Sequence, residues 1–240
     1  MRLWEFRNRK TLITSFNCYR CGTFNGAGCD CSDGQTVIHG DCREVLPEIE
    51  KGAADLVLTD PPYGIDWKPR VNHRGSEHIW HDNETFDPVP WLSIGRHHCF
   101  WGAQYFADKL PPSEAWLVWV KRPLDFDFSN DHRTYATVEM AWSDLEVKPS
   151  FKCQTWDGGM RQGASENRTF CHPSQKPIEL MRWVMGKADD CETILDPFAG
   201  SFTTARAAKD LGRKSICIEL EEKYVEIGCK RLEQGVLAFA

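Results

Sequence analysis

Two short apolar runs in this chain, Ala54–Thr59 (ADLVLT) and Thr193–Leu195 (TIL), each stop at an Asp-Pro pair, Asp60-Pro61 and Asp196-Pro197. Apolar runs this short, bounded by polar ends, suit strands buried on both faces, as in a parallel sheet. Around them, strand-like and helix-like stretches alternate. Strands are expected at Thr36–His39, Phe100–Trp101, Ala115–Val120, 135–143, 150–155 and Ser215–Ile218. Helices are expected at Arg43–Ile49, in the segment YFADKL, at Glu179–Lys187, at Ser201–Leu211 with Gly212 capping its end, and at Glu222–Glu233. The alternation predicts an α/β fold with a mostly parallel central sheet covered on both faces.

The 240 residues suit one α/β domain with insertions. Residues 1–35 read as a separate polar, glycine-rich arm, and residues 36–240 as the main domain, with inserted elements at about 65–170. Residues 64–90 lack periodicity, and a loop of that length is more often functional than idle. No apolar run reaches the roughly 18 residues of a membrane span, and the N-terminal residues do not read as a secretory signal. The expectation is therefore a cytoplasmic protein without membrane contact. The formal net charge of -6 argues against a broadly basic coat. It leaves room for a local basic cleft, because Lys68, Arg70, Arg74, Lys121, Arg122, Arg161 and Arg168 fall between the two Asp-Pro motifs.

Strand, Asp, small flexible turn and helix follow in order through residues 193–205. Gly200 lets backbone approach a ligand closely, and the free N–H groups opening the next helix favour an anionic or polar ligand group. Glu219 ends the adjacent strand about twenty residues on, where an acidic side chain can accept from both hydroxyls of a ribose. The turn is not G-x-G-x-x-G, so a nucleoside with a charged amino-acid tail fits better than a dinucleotide. The first motif, Asp60-Pro61-Pro62-Tyr63, suits an exocyclic amine. Such an amine is a poor nucleophile because its lone pair is delocalised into the ring. Two acceptors aimed at its N–H bonds favour a more tetrahedral nitrogen. The Asp60 side chain and the Pro61 carbonyl supply them, and the two prolines keep the turn extended and stiff. Tyr63 can stack on a base that has left the duplex. The chain contains no Pro-Cys dipeptide of the kind that carries the nucleophile in C5-cytosine chemistry.

The segment Asp196-Pro197-Phe198-Ala199-Gly200-Ser201-Phe202-Thr203-Thr204 resembles the AdoMet-binding motif of amino-group DNA methyltransferases, usually DPFxGSGTT. His172-Pro173-Ser174-Gln175-Lys176-Pro177 resembles that family's H-P-T/S-Q-K-P segment, and Asp60-Pro61-Pro62-Tyr63 its DPPY motif. The resemblance covers about residues 36–230. Catalytic motif first and cofactor motif last resembles the permuted β class. The resemblance implies a Rossmann-like AdoMet-dependent methyltransferase fold and double-stranded DNA as partner. It also implies methyl transfer to a flipped base, favouring adenine N6 because the first motif residue is Asp. Cytosine N4 is the nearest alternative, and a DNA-binding protein with impaired catalysis is the reading from another class. The family's cofactor roles pass to Asp41, Asp60, Asp196, Phe198, Ala199, Gly200, Ser201, Thr203 and Glu219, with Lys176 or Gln175 reaching the AdoMet carboxylate. Members of the class can pair, so a homodimer is an expectation of the resemblance alone. Phe202 stands where the motif usually has Gly, and is expected to pack under the helix rather than narrow the cofactor site. Target recognition is expected from the insertion, which carries Trp67, His73, Arg74, His78, Trp80, His81, Trp156, Arg161 and Arg168.

The arm holds Cys18-x-x-Cys21 and Cys29-x-Cys31 within fourteen residues, out of eleven cysteines in the chain. A four-thiolate structural zinc site would give an arm with almost no core a reason to fold. Free thiols, and a disulfide or redox pair, stand as the alternatives at this stage.

Overall fold

A computed structural model of the chain describes residues 16–23, 28, 29, 31–66, 82–123, 125–127, 129, 136–157, 160, 161, 172 and 174–235. In chain order the elements are β1 (Gln35–His39), α1 (Cys42–Val45), β2 (Ala54–Thr59), β3 (Gly95–Trp101), β4 (Ala115–Val120), β5 (Val138–Ser143), β6 (Ser150–Cys153), β7 (Trp156–Asp157) and β8 (Met160–Arg161). They continue with α2 (Ile178–Met185), β9 (Thr193–Asp196), α3 (Thr203–Asp210), β10 (Lys214–Glu219) and α4 (Glu222–Glu233). Among the described residues eight strands form one sheet in the order β1-β10-β9-β2-β3-β5-β4-β6, and β7 with β8 makes a separate two-stranded ribbon. The pairings β1–β10, β10–β9, β9–β2, β2–β3 and β4–β6 are parallel, while β5 runs antiparallel to both β3 and β4. The sheet is mostly parallel, as the apolar runs predict.

Alternate residues of the central strands feed opposite faces. Leu56 and Leu58 of β2 pack with Leu180, Met181, Val184 and Met185 of α2 and with Ala207 and Ala208 of α3. Val57, between them, faces the other side with Phe100, Trp142, Leu195 and Ile218, closed over by Val45, Phe86, Trp91 and Phe106. A third cluster joins α3 and α4 to β1 and β10 through Val37, Phe202, Ala205, Cys217, Val225 and Leu232. Burial on both faces is why ADLVLT shows no polar alternation.

The central pair β9 and β2 is the topological switch of the sheet. From β2 the chain builds outward through β3, whereas from β9 it builds the other way through β10, with β1 beyond. Loops leaving the carboxyl ends of two such strands diverge to opposite faces and open a crevice between them. Asp60 follows β2 and Asp196 ends β9, so both Asp-Pro motifs stand at that crevice.

Several elements differ from expectation. YFADKL forms two separate 3-10 turns, Ala103–Tyr105 and Ala107–Lys109, because it follows a left-handed Gly102 and lacks the length to propagate a helix. The short helix expected at Arg43–Ile49 is one α-turn continued by a 3-10 turn over Leu46–Glu48, where Pro47 removes an N–H. Strand β3 begins five residues before Phe100, through the polar GRHHC stretch that hides it from a hydrophobicity reading. The strands expected at 135–143 and 150–155 cover Val138–Ser143 and Ser150–Cys153. At the end of α3, Gly212 (φ 69°) sits in the left-handed position. Its N–H donates to Lys209 O at 3.1 Å and that of Arg213 to Ala208 O at 2.8 Å, the double bond of a Schellman stop. The described part of the arm lies against β1: Cys18 is buried and forms an antiparallel bridge with Ile38. No helix among the described residues is long and apolar enough to cross a membrane.

Candidate active site

The crevice is a cavity of about 780 Å³ lined by all the residues expected at the catalytic and cofactor positions, from Asp41 and Asp60 through Lys176 to Glu219. Pockets of some hundreds of cubic ångströms hold a drug-sized ligand.

At one end, the Asp60 side chain is largely buried, 15% exposed. Its Oδ1 accepts from the Tyr63 hydroxyl and its Oδ2 from the Lys176 ammonium. Lys176 also stands 3.1 Å from Glu139 Oε2 and 3.2 Å from the Tyr63 hydroxyl, and Lys121 pairs with Glu139 Oε1. Two carboxylates and two ammonium groups thus form one buried network of zero formal charge. Burial pushes Asp60 up, against the pull of Lys176. Burial would raise Glu139 too, but the Lys176 and Lys121 charges outweigh it and hold that carboxyl below its usual range. For Lys176, burial opposes the charge, yet Asp60 and Glu139 overcome it and keep the amine protonated. Glu139, between two lysines, is the firmly ionised carboxylate. Asp60 is the one nearer to exchanging a proton.

The turn carrying Asp60 is braced from behind. Asp82 Oδ1 accepts the N–H groups of Tyr63 at 2.9 Å and Gly64 at 3.0 Å. The Tyr63 ring stacks on Tyr105 with centroids 5.1 Å apart. It also lies so close to Gly102 that a methyl group there would sit 1.9 Å from Tyr63 Cε1, so glycine is required at that position.

At the other end, Asp196 turns inward. Its Oδ1 accepts from the Thr59 hydroxyl at 2.7 Å and from the Phe198 N–H at 3.1 Å, and burial pushes its pKa up to about 6. The Gly200 N–H donates to Glu219 Oε2 and the Glu221 N–H to Oε1, each at 2.8 Å. Burial raises Glu219 to about 7. Each of its oxygens keeps lone-pair capacity for a further donor. Asp41 caps α1 by accepting from Arg43 N at 2.9 Å. His172 lies over Gly200 and packs edge-on against Tyr224 at 4.3 Å; burial, aided by the Lys176 charge, lowers its pKa to about 4. Its Nδ1 accepts from the Ser174 N–H at 3.2 Å.

Lys176 lines the cavity at the DPPY end, and Phe202 packs under the helix as expected. Lys176, expected at the tail of the cofactor, is engaged with Asp60 and Glu139 at the DPPY end. Phe202 adopts φ 61° and is fully buried among Val37, Ala205, Cys217, Val225 and Leu232, away from the cavity. Sequence reasoning missed Glu139, Asp82 and Tyr105, and named Lys121 only as part of a local basic cleft. A signal existed for Glu139, the lone charge in the strand VEMAWS. None existed for Asp82, which lies in a stretch without periodicity. Of the expected recognition residues, Trp67, His73, Arg74, His78, Trp80, His81 and Arg168 lie outside the described residues, as does Pro173. Trp156 is placed at the cavity, where its indole N–H donates to Gln175 O at 3.0 Å. Arg161 lies in β8.

Comparison with known proteins agrees with this geometry. A family model described as DNA methylase matches residues 130–230. The DNA adenine methyltransferase YhdJ of Escherichia coli is 27% identical over an alignment covering 84% of each chain. The type II methyltransferase M2.LlaDCHI of Lactococcus lactis is 24% identical, covering 83% of this chain and 89% of the relative. Among solved structures, the PvuII DNA methyltransferase, described as cytosine-N4-specific, superposes with a TM-score of 0.55 at 14% identity, over 85% of this chain and 88% of that one. TTHA0409 of Thermus thermophilus, complexed with S-adenosyl-L-methionine, gives 0.51 at 19% identity, over 82% and 93%. At these identities the solved structures speak to fold alone.

Proposed function

We propose that this chain is a β-class AdoMet-dependent DNA methyltransferase of the adenine-N6/cytosine-N4 family and that it methylates the N6 amine of an adenine flipped out of duplex DNA at a short specific site. The observation that carries the proposal is the shared cavity. The DPPY turn and the Asp196–Thr203 turn leave adjacent parallel strands and open into one space. The choice of adenine is supported by the Asp in DPPY and by the relative named as an adenine enzyme.

AdoMet, when bound, supplies the electrophilic methyl group. The Gly200 turn lets backbone approach it, and Glu219 accepts its ribose hydroxyls. Asp60 and the Pro61 carbonyl accept the two N–H bonds of the target amine. For the amine to reach Asp60, Lys176 shifts its hydrogen bond toward Glu139, which already faces it. Asp60 then meets the amine as a carboxylate whose basicity burial has raised. Catalysis is positioning and electrostatics, with no covalent enzyme intermediate. We also propose a structural zinc ion on Cys18, Cys21, Cys29 and Cys31, whose sulfurs all lie within 4.8 Å of one another.

The test is methyl-labelled AdoMet with mixed-sequence duplex DNA, followed by nucleoside mass analysis, for the intact protein and for Asp60→Asn. N6-methyladenine made by the intact protein alone is the expected result. N4-methylcytosine would reverse the base assignment and keep the mechanism. No transfer by a folded protein that binds AdoMet would overturn the reading.

A further inference from the structure

The cysteine cluster is built into the sheet. Cys18 and Cys31 sulfurs are 3.8 Å apart, and all four cysteines are free of disulfides. Zinc–thiolate bonds of about 2.3 Å in a tetrahedron set neighbouring sulfurs about 3.8 Å apart. Two donors are directed at these sulfurs. The Val37 N–H reaches Cys18 Sγ at 3.5 Å, and the Thr36 hydroxyl reaches Cys29 Sγ at 3.2 Å. Outer donors of this kind orient metal ligands and stabilise their charge.

Both donors belong to β1, the terminal strand of the sheet. An uncovered edge strand presents a row of unpaired N–H and C=O groups, a template for wrong pairing. Here the arm occupies that side: Cys18 bridges Ile38, and the Tyr19 N–H donates to Val37 O at 2.6 Å. The far end of β1 leads into the cavity. The Gly40 N–H donates to Glu219 O at 3.0 Å, and Asp41 follows.

Resting on the zinc reading above, we infer that the metal is a clasp. It fastens the arm along the open edge of β1 and thereby holds Gly40 and Asp41 beside Glu219 at the cofactor end of the cavity. In the described arm before β1 only Cys18 is fully buried, with Phe16 and Tyr19 half-buried against the domain, so one ion tied by four residues supplies a constraint that this small apolar contact does not. An ion pair helps from outside, with Asp33 between Arg20 at 2.7 Å and Lys209 at 3.1 Å, but partly exposed pairs contribute little by themselves.

The experiment uses the full chain as purified, chelated with a thiol-competing zinc ligand, and the variant Cys21→Ser, whose side chain is exposed and outside the core. Metal content is read by elemental mass spectrometry and local stability by amide hydrogen exchange. The expected result is one zinc per chain, with metal removal abolishing protection of Gln35–His39, preserving that of Ala54–Thr59, and weakening AdoMet binding. A chain with no zinc, even after refolding in its presence, overturns the zinc reading and the clasp with it. Zinc that leaves without any change in β1 exchange overturns the clasp alone. Loss of protection in β1 and β2 together overturns the local role assigned to the ion.

Discussion

Phe202 and Gly228 should behave as a single unit. A methyl group built on Gly228 of α4 would fall 2.1 Å from Phe202 Cδ2 and 2.4 Å from its Cγ, against about 3.5–4 Å for a carbon–carbon contact at rest. More than an ångström of movement must be absorbed by a fully buried ring or by the helix. Overpacking of that kind costs about 1–3 kcal/mol, whereas Gly→Ala inside a helix gains about 1 kcal/mol. Gly228→Ala should therefore be neutral to destabilising, by up to about 2 kcal/mol. Phe202→Gly removes a buried aromatic, a loss of about 3–5 kcal/mol, and relieves a left-handed backbone that costs an L-residue roughly 1–2 kcal/mol. It should leave the protein about 1–4 kcal/mol less stable. In that background the clash is gone, and Gly228→Ala should become stabilising, by up to about 1 kcal/mol. The assay is urea unfolding of the two single variants, the double variant and the parent, without AdoMet, read as a double-mutant cycle. The same cost for Gly228→Ala in both backgrounds would refute the contact and, with it, the explanation of how this chain carries Phe where the motif has Gly.

Three further variants probe the cavity. Lys176→Met leaves two buried carboxylates facing Lys121 alone. It should cost about 3–5 kcal/mol in urea unfolding, and it should move the acid limb of the kcat–pH profile to higher pH, because Asp60 loses the charge that restrains its pKa. Glu219→Gln should weaken AdoMet binding at pH 8 by about tenfold or more, the scale of hydrogen bonds to a charged acceptor. Since Glu219 titrates at about 7, the parent's affinity, measured by calorimetry, should rise from pH 6 to pH 8 and that of the variant should not. Asp196 is held at about 6, so the folded state binds its proton more tightly than the unfolded chain does. That contribution is complete below its unfolded value and is lost as pH rises through the folded one. Asp196→Asn should therefore flatten the decline in unfolding free energy between about pH 4 and pH 6, worth up to roughly 3 kcal/mol.

The sequence disclosed most where one chemical rule fixed both fold and use. ADLVLT and TIL are mostly apolar because both of their faces are covered, and that lack of alternation marked them as parallel strands. Glu222–Glu233 shows its helical period over its full length. Strand β3 was hidden because Arg96, His97 and His98 carry its first half: His98 Nδ1 pairs with Asp144 Oδ2 at 2.6 Å, a compensation invisible until distant residues meet. The site was legible through its motifs at 60–63, 172–177 and 196–203. The network behind it was not, because Glu139, Lys121 and Asp82 arrive from three separate segments and acquire meaning only through burial beside Lys176 and Tyr63.

The two Asp-Pro pairs illustrate how alike a sequence can make unlike residues. Both stand at the ends of central strands and both line the same cavity, Asp196 fully buried and Asp60 largely so. Asp196 uses its carboxylate on its own surroundings, accepting from Thr59 and Phe198, and so closes the turn that the cofactor motif needs. Among the described residues Asp60 receives side-chain donors, Tyr63 and Lys176, which can rotate away, and it is therefore the one able to exchange its partners for a substrate amine. Thr59 immediately precedes Asp60 and donates to Asp196. One hydroxyl thus fixes the spacing between the turn proposed to hold the methyl donor and the turn proposed to hold its acceptor. In-line transfer tolerates little drift between those groups. A single hydrogen bond between adjacent parallel strands is the shortest mechanical link that the fold can place there.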